Sequence, residues 1–228
     1  MRKVLLILIV LLGLAVAGCG GSSGDTAAPA TETQAEAADT TTSADGCSDV
    51  TVPPAREDGG GTEPKERLDP EKTYALVVKT NCGTFTITLD QAGAPATSAS
   101  LVSLAKSAFF DNTIFHRIVP GFVMQGGDPT ASGSGGPGYQ TVDPPAADAK
   151  YTKGVVAMAK TSAEAPGTSG SQFFVVTGAD VGLPAEYAIV GNVTSGIDVI
   201  ERVGALGDPA TEQPTRPVVI ESVTVVEQ

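Results

Sequence analysis

From Tyr74 onward, apolar and polar positions alternate in short runs. Thr84-Phe85-Thr86-Ile87-Thr88-Leu89 puts Phe85, Ile87 and Leu89 on one face and three threonines on the other, the period of a half-buried strand. Tyr74–Lys79 precedes it and is placed to pair with it across a turn at Asn81-Cys82-Gly83. The same pattern predicts strands over Thr113–Val119, Phe122–Gln125, Gly154–Ala159, Gln172–Thr177, Tyr187–Val193 and Val218–Val226. Two segments carry a helical period. Ala96–Ala108 follows Pro95, with Leu101, Leu104 and Ala105 on one side; Gly196–Val203 turns Ile197, Ile200 and Val203 inward. These elements predict a mainly β fold: an eight-stranded closed antiparallel β-barrel capped by two α-helices. Closure would remove the exposed edges.

No such period runs through the first 70 residues. Arg2 and Lys3 stand ahead of an apolar stretch, Val4 to Leu12, in the layout of a secretory signal, and the run is short of the roughly 20 residues that span a membrane. Val16-Ala17-Gly18 before Cys19 matches the lipobox of bacterial lipoproteins, whose Cys thiol takes the lipid. The plain alternative is an ordinary cleaved signal with an incidental cysteine. The expected organisation is a signal peptide over 1–18, an acidic low-complexity tether over 19–70 anchored at Cys19, and a folded domain over 71–228. That places the protein outside the cytoplasm, held on a bacterial membrane through its N-terminal lipid only. The tether is rich in Ala, Thr, Gly and Pro and buries too little apolar surface to offset the ordering of its chain.

Charge narrows the partners. The chain carries 26 acidic and 14 basic residues, a net charge of -12, and no basic tract lies beyond the leader. Neither a nucleic-acid backbone nor an anionic lipid surface is a fitting partner for it. The acidity is densest from Gly20 to Pro70, with 11 acidic against 3 basic residues. A single His argues against a zinc site, which takes four N/S ligands. Cys47 and Cys82 remain. Export permits a disulfide between them, which would staple the end of the tether to the domain; two free thiols are the alternative.

Two motif matches carry no chemistry. Gly133-Ser134-Gly135-Gly136-Pro137-Gly138 fits GxGxxG, but Pro137 and the run from Tyr139 to Pro145 do not open the helix that a dinucleotide site requires. Gly20-Gly21-Ser22-Ser23-Gly24 fits GxSxG but lies in the tether, without a strand–turn–helix. His116, one step from Arg117, faces the other side of its strand and reads as a packed or capping histidine.

The informative stretch is Phe115-His116-Arg117-Ile118-Val119-Pro120-Gly121-Phe122-Val123-Met124-Gln125-Gly126-Gly127-Asp128. Pro-Gly in its middle predicts a hairpin turn. A turn centred on Gly121 sets Arg117 opposite Gln125 on one face, a five-donor guanidinium beside a carboxamide. A solvated surface arginine and plainly packed phenylalanines are the other reading of the same residues. The stretch closely resembles the signature of cyclophilins, and Gly170-Ser171-Gln172-Phe173-Phe174 resembles that family's second hallmark. Gly154–Ala159 looks like its central strand, and Ala94-Pro95 through Phe110-Asp111 like its first helix. The resemblance covers roughly Tyr74 to Val226, in family order.

The resemblance implies an eight-stranded β-barrel with two helices, and peptidyl-prolyl cis-trans isomerase activity that needs no cofactor and no metal. It assigns catalysis to Arg117 and an apolar proline slot to Phe122, Val123, Phe174 and Leu183. Gln125, Gln172 and the Ala159–Lys160 segment would hold the substrate backbone. Tyr187 stands where the family commonly has a rim histidine, Lys160 where it has an asparagine, and Gly182 where many members carry a tryptophan. Loss of that indole implies weak cyclosporin binding. The loop Thr161–Ser169 looks longer than in short members. The expected partners are proline-containing segments of exported polypeptides, met by a monomer. A catalytically weak proline-peptide binding module on a lipoprotein tether is the alternative, and a lipoprotein whose tether is the working part is a third.

Overall fold

The computed structural model describes Ser43 and residues 46–228. The signal peptide and Cys19 lie outside the described residues. The alternating runs become β1 (Tyr74–Thr80) and β2 (Gly83–Leu89), which pair from Ala75 opposite Thr88 to Thr80 opposite Gly83. Tyr74, Leu76 and Val78 are buried with Phe85, Ile87 and Leu89, while the residues between them are partly or fully exposed. The rest of the order is α1 (Pro95–Lys106), β3 (Thr113–Ile114), β4 (Arg117–Val119), β5 (Val123–Gly126), β6 (Thr141–Val142), β7 (Val155–Met158), β8 (Thr168–Ser169), β9 (Phe173–Val176), β10 (Ile189–Ser195), α2 (Ile197–Gly204) and β11 (Val219–Glu227).

The closed eight-stranded barrel expected from the pattern does not form. Nine strands make one open half-barrel in the order β3-β11-β1-β2-β10-β7-β9-β5-β4, and β6 and β8 make a separate two-stranded ladder. The physical reason lies in one segment. The strand predicted over Thr113–Val119 divides at Phe115-His116, where Phe115 turns fully into the core. Its first half pairs with β11 and its second with β5, so one stretch of chain supplies both ends of the sheet. The Phe115 N–H turns to Val218 O (2.9 Å) and the Ile118 N–H to Glu212 O (2.8 Å).

The core fills the concave side. Phe110, Phe115 and Phe173 meet edge to face there, Phe173 lying 6.0 Å from each of the other two rings. They pack with residues such as Val78, Phe85, Leu104, Met124, Met158, Ile200 and Ile220. Helix α1 opens on Pro95, whose missing N–H costs nothing at a first turn. Its N-cap, Ala94, offers no side-chain oxygen, and Asp143 takes over from a distant loop. That carboxylate accepts the Thr97 N–H and hydroxyl, both at 2.7 Å. Thr97, Ser98 and Ser100 are therefore buried together with Leu101, Leu104 and Ala105, and the helix has almost no free face. In α2, Val199, Ile200 and Val203 are buried, but Ile197, expected inward, is 42% exposed at the first turn.

Residues 47–70, which the sequence places in the tether, lie against the domain. Cys47 and Cys82 are joined by a disulfide and are fully buried. The Arg56, Gly59 and Gly61 N–H groups donate to Pro129 O, Gly136 O and Pro137 O at 2.8–3.0 Å. Asp58 accepts the Gly136 N–H at 2.7 Å. The Arg56 guanidinium covers the Phe109 ring, and Leu68 packs on the core. A low-complexity segment is held here through its backbone groups, which need partners whatever the side chains are.

Candidate active site

The outer face of the half-barrel carries a second apolar cluster. It is built from the positions that alternate with the core. Met124, Val156, Met158, Phe173 and Val175 point inward, while Val123, Val155, Ala157, Phe174 and Val176 form the second cluster with Tyr151. Register then aligns a row across five strands. Arg117 pairs with Gln125, Gln125 with Phe174, Phe174 with Ala157, and Ala157 with Ile189. A cation, a carboxamide and an apolar wall thus stand side by side because neighbouring antiparallel residues point the same way. The turn between β4 and β5 has Gly121 at φ +70, a conformation that glycine adopts freely.

Arg117, Phe122, Val123, Gln125, Ala159, Lys160, Phe174, Leu183 and Tyr187 line one cavity of about 170 Å³ on this face. Gln172 lies outside it, in a neighbouring cavity of about 660 Å³ that shares Gln125, Ala159 and Lys160. Asp58, from the N-terminal segment, lines the larger cavity as well.

A polar chain crosses the groove. Arg117 Nε donates to Glu212 Oε2 at 2.7 Å, and its Nη1 reaches Gln125 Oε1 at 3.4 Å. Gln125 Nε2 donates to Gln172 Oε1 at 3.0 Å, and Gln172 Nε2 to Gly135 O at 2.9 Å. The last acceptor belongs to the Gly-rich loop that matched GxGxxG. That loop wraps a carboxylate of the protein itself. Asp128, fully buried, accepts the Thr130 N–H and hydroxyl on Oδ1 (2.7 and 2.8 Å) and the Gly133 and Gly135 N–H groups on Oδ2 (2.6 and 3.2 Å). Burial pushes this carboxyl up. The hydrogen bonds from Thr130, Gly135 and Gly133 outweigh it and hold the group below the usual carboxylate range. Beside it, burial lowers the His116 imidazole, with the Asp128 charge opposing.

Comparisons with known proteins give the family. Residues 75–225 match the sequence model of the family described as cyclophilin type peptidyl-prolyl cis-trans isomerase/CLD. The chain belongs to that family. Peptidyl-prolyl cis-trans isomerase-like 1 of Aspergillus oryzae is 39% identical over 153 residues, 65% of this chain and 93% of the relative. Peptidyl-prolyl cis-trans isomerase A of Mycobacterium tuberculosis is 36% identical over 174 residues, 68% of this chain and 94% of the relative. A crystal structure of a Cryptosporidium parvum cyclophilin type peptidyl-prolyl cis-trans isomerase, in the presence of the dipeptide Ala-Pro, superposes with a TM-score of 0.61 at 29% identity, covering 67% of this chain and 98% of that one. This cyclophilin is a peptidyl-prolyl isomerase.

The surroundings of several groove residues go beyond the sequence reading. The Lys160 side chain is 2% exposed, and its ammonium is used on Glu186 (2.9 Å), Glu164 O (3.2 Å) and Thr161 O (3.3 Å). It stands 5.5 Å from the Tyr187 ring centre. Lys160 is thus a wall that ties down the loop after it rather than a free cation facing a ligand. Tyr187 packs edge to face on Phe174 at 5.5 Å. Its backbone is held by Tyr151, whose hydroxyl donates to Tyr187 O (2.8 Å) and accepts the Tyr187 N–H (3.0 Å). Burial raises the Tyr151 phenol, which keeps that proton in place. Sequence reasoning missed Tyr151 and Glu212. Tyr151 is one of four tyrosines in an aromatic-poor chain, a signal available but not used. Glu212 sits in an irregular loop and gave none.

Proposed function

We propose that this cyclophilin is a lipid-anchored, extracytoplasmic isomerase that acts on X–Pro bonds of exported polypeptides and assists their folding. The observation that carries the chemistry is the position of Arg117. It lies at the polar edge of an apolar cavity whose walls are Phe122, Val123, Phe174 and Leu183. Rotation about an X–Pro bond must cross about 18–20 kcal/mol set by amide resonance. In the twisted state the proline nitrogen has lost conjugation and accepts a hydrogen bond that the planar amide does not. A guanidinium held at the cavity edge donates to that nitrogen more strongly in the twisted state, and this difference accelerates rotation. The apolar walls seat the ring. Gln125, Gln172 and the Ala159–Lys160 backbone line the path of the flanking peptide across both cavities. No covalent step is needed. Gly182, beside Leu183, has no neighbour within 4 Å of where a side chain would start, and with no Trp in the chain no indole covers the rim there.

The export reading rests on the signal layout, the residues before Cys19, and the Cys47–Cys82 bond, which an oxidising compartment preserves. The test is exchange of an X–Pro peptide followed by NMR, with the full chain and its Arg117→Ala variant. We expect the variant to lose about 10²–10³-fold in kcat/KM while keeping its melting temperature. Parent-like exchange by a folded Arg117→Ala protein would remove Arg117 from the mechanism. Radiolabelled palmitate should enter the parent and not Cys19→Ser; equal labelling of both would end the lipoprotein reading.

A further inference from the structure

Arg117 is a half-exposed side chain, 34% accessible, with many rotamers open to it. Gln125, at 3.4 Å, is a loose restraint. The close one is Glu212, whose carboxylate takes the Nε–H at 2.7 Å and leaves the Nη groups directed elsewhere. Glu212 comes from a loop that is built onto β4, the strand that carries Arg117. Its carbonyl accepts the Ile118 N–H at 2.8 Å. At the loop's root, Gly207 lies so close to β4 that a Cβ there would stand 2.2 Å from Ile118 O. The Glu212 N–H returns to Asp208 O at 2.8 Å, and the Asp208 carboxylate accepts the Ala210 and Thr211 N–H groups at 2.7 and 3.1 Å.

The loop holds Glu212 at φ +58, in the left-handed region that a side chain disfavours. Ala108, Asn112 and Ala131 share that sign of φ, but among the four only the Glu212 side chain bonds a residue of the groove. Glycine would sit there without strain. An exposed ion pair contributes little to stability, so the pair gives weak thermodynamic reason for a glutamate at a glycine-favouring position. Strain kept at such a place points to function.

We propose that Glu212 is a positioning residue for the isomerisation: it fixes the Arg117 guanidinium so that an Nη–H points at the proline nitrogen in the twisted state. The proposal rests on the assignment of Arg117 made above. Its action is geometric, because at 34% and 47% exposure the Coulomb part is largely screened, whereas a hydrogen bond to a single nitrogen depends on where the donor stands.

The experiment compares Glu212→Gly, Glu212→Gln, Arg117→Ala and the double variant Arg117→Ala/Glu212→Gly, all in the full chain, by X–Pro peptide exchange and by thermal melting. Glu212→Gly removes the carboxylate and relieves the backbone, so it should melt at or above the parent temperature. It should lose about tenfold in kcat with KM unchanged. Glu212→Gln keeps an oxygen acceptor for Nε and should recover most of that loss. In the Arg117→Ala background, Glu212→Gly should change nothing further. Parent-like kcat in Glu212→Gly beside an inactive Arg117→Ala would overturn the Glu212 proposal and leave Arg117 standing. A rise in KM alone would also overturn it, by making Glu212 a ground-state contact. Full activity in Arg117→Ala would instead bring down the assignment beneath it.

Discussion

Phe173 and Phe174 are neighbours on one strand, each 5% exposed, and they belong to different parts of the molecule. Phe173 fills the concave core, edge to face with Phe110 and Phe115. Phe174 sits on the convex side with Tyr151 and Tyr187 and walls the 170 Å³ cavity. The contrast extends to whole strands. β1 and β2 alternate between buried and partly exposed residues, whereas every residue of β7 and β9 is buried. Where the outer face meets water, the strand reads as alternation; where a groove covers it, the strand reads as a continuous apolar run. Equal burial therefore conceals two jobs, one supporting the fold and the other shaping a cavity for a ligand.

Substitution should separate the two jobs. Phe173→Ala leaves a closed cavity among aromatic rings and should cost about 3–5 kcal/mol in urea unfolding, with little change in the turnover of the molecules that remain folded. Phe174→Ala opens onto the groove, where water can enter, so only the transfer part is lost, about 2–3 kcal/mol. Its kcat/KM should fall far more than that of Phe173→Ala. Equal losses in both assays would break the division of the sheet into two faces.

The disulfide belongs to the core side. It closes a 35-residue separation, and Cys47→Ala/Cys82→Ala should lose about 2–4 kcal/mol. Faster hydrogen exchange at Gly59 and Gly61 in that variant would show that the bond also keeps residues 47–61 beside the larger cavity. Unchanged exchange would mean that those backbone bonds hold unaided.

Asp128 links the faces, because its carboxylate folds the loop that accepts Gln172. Its folded pKa lies below the unfolded value of about 3.9, so its stabilising contribution is complete above that pH and is lost as pH falls through the folded value. Asp128→Asn should cost about 2–3 kcal/mol at pH 7 and flatten the decline in stability below about pH 4. An unaltered acid limb would assign the decline to other carboxylates.

Tyr151→Phe is the smallest change. It deletes one hydroxyl from two bonds to the Tyr187 backbone, at about 1–2 kcal/mol. It should raise KM a few-fold with kcat nearly kept. A loss confined to kcat would move Tyr151 from shaping the groove to the chemistry.

Most of the strands, both helices and the nine residues of the cavity were legible in the chain, for two different reasons. Strand faces follow from a period of two, which local sequence carries: Phe85-Thr86-Ile87 has one amphipathic reading. The cavity residues were found by their resemblance to a family, since a phenylalanine by itself reads as core. The pairing of Arg117 with Gln125 needed only the Pro120-Gly121 turn and the pleat.

The tertiary structure alone decided the rest, because each case depends on what lies across the fold from a residue. The segment Thr113–Val119 has the pattern of one strand, yet it is shared between two partners and leaves the sheet open. The sequence does not reveal that the Lys160 ammonium is taken up by Glu186 and two loop carbonyls. Low-complexity sequence predicts a tether over residues 19–70, and it does not reveal that the Arg56, Gly59 and Gly61 N–H groups meet acceptors on the domain. Glu212 is one more acidic residue in an acidic chain; its reach to Arg117 exists only because the loop between Gly207 and Pro214 folds back on β4. Period and motif are local properties that a sequence records, while the partner of a charge or a carbonyl is set by the packing of segments far apart along the chain.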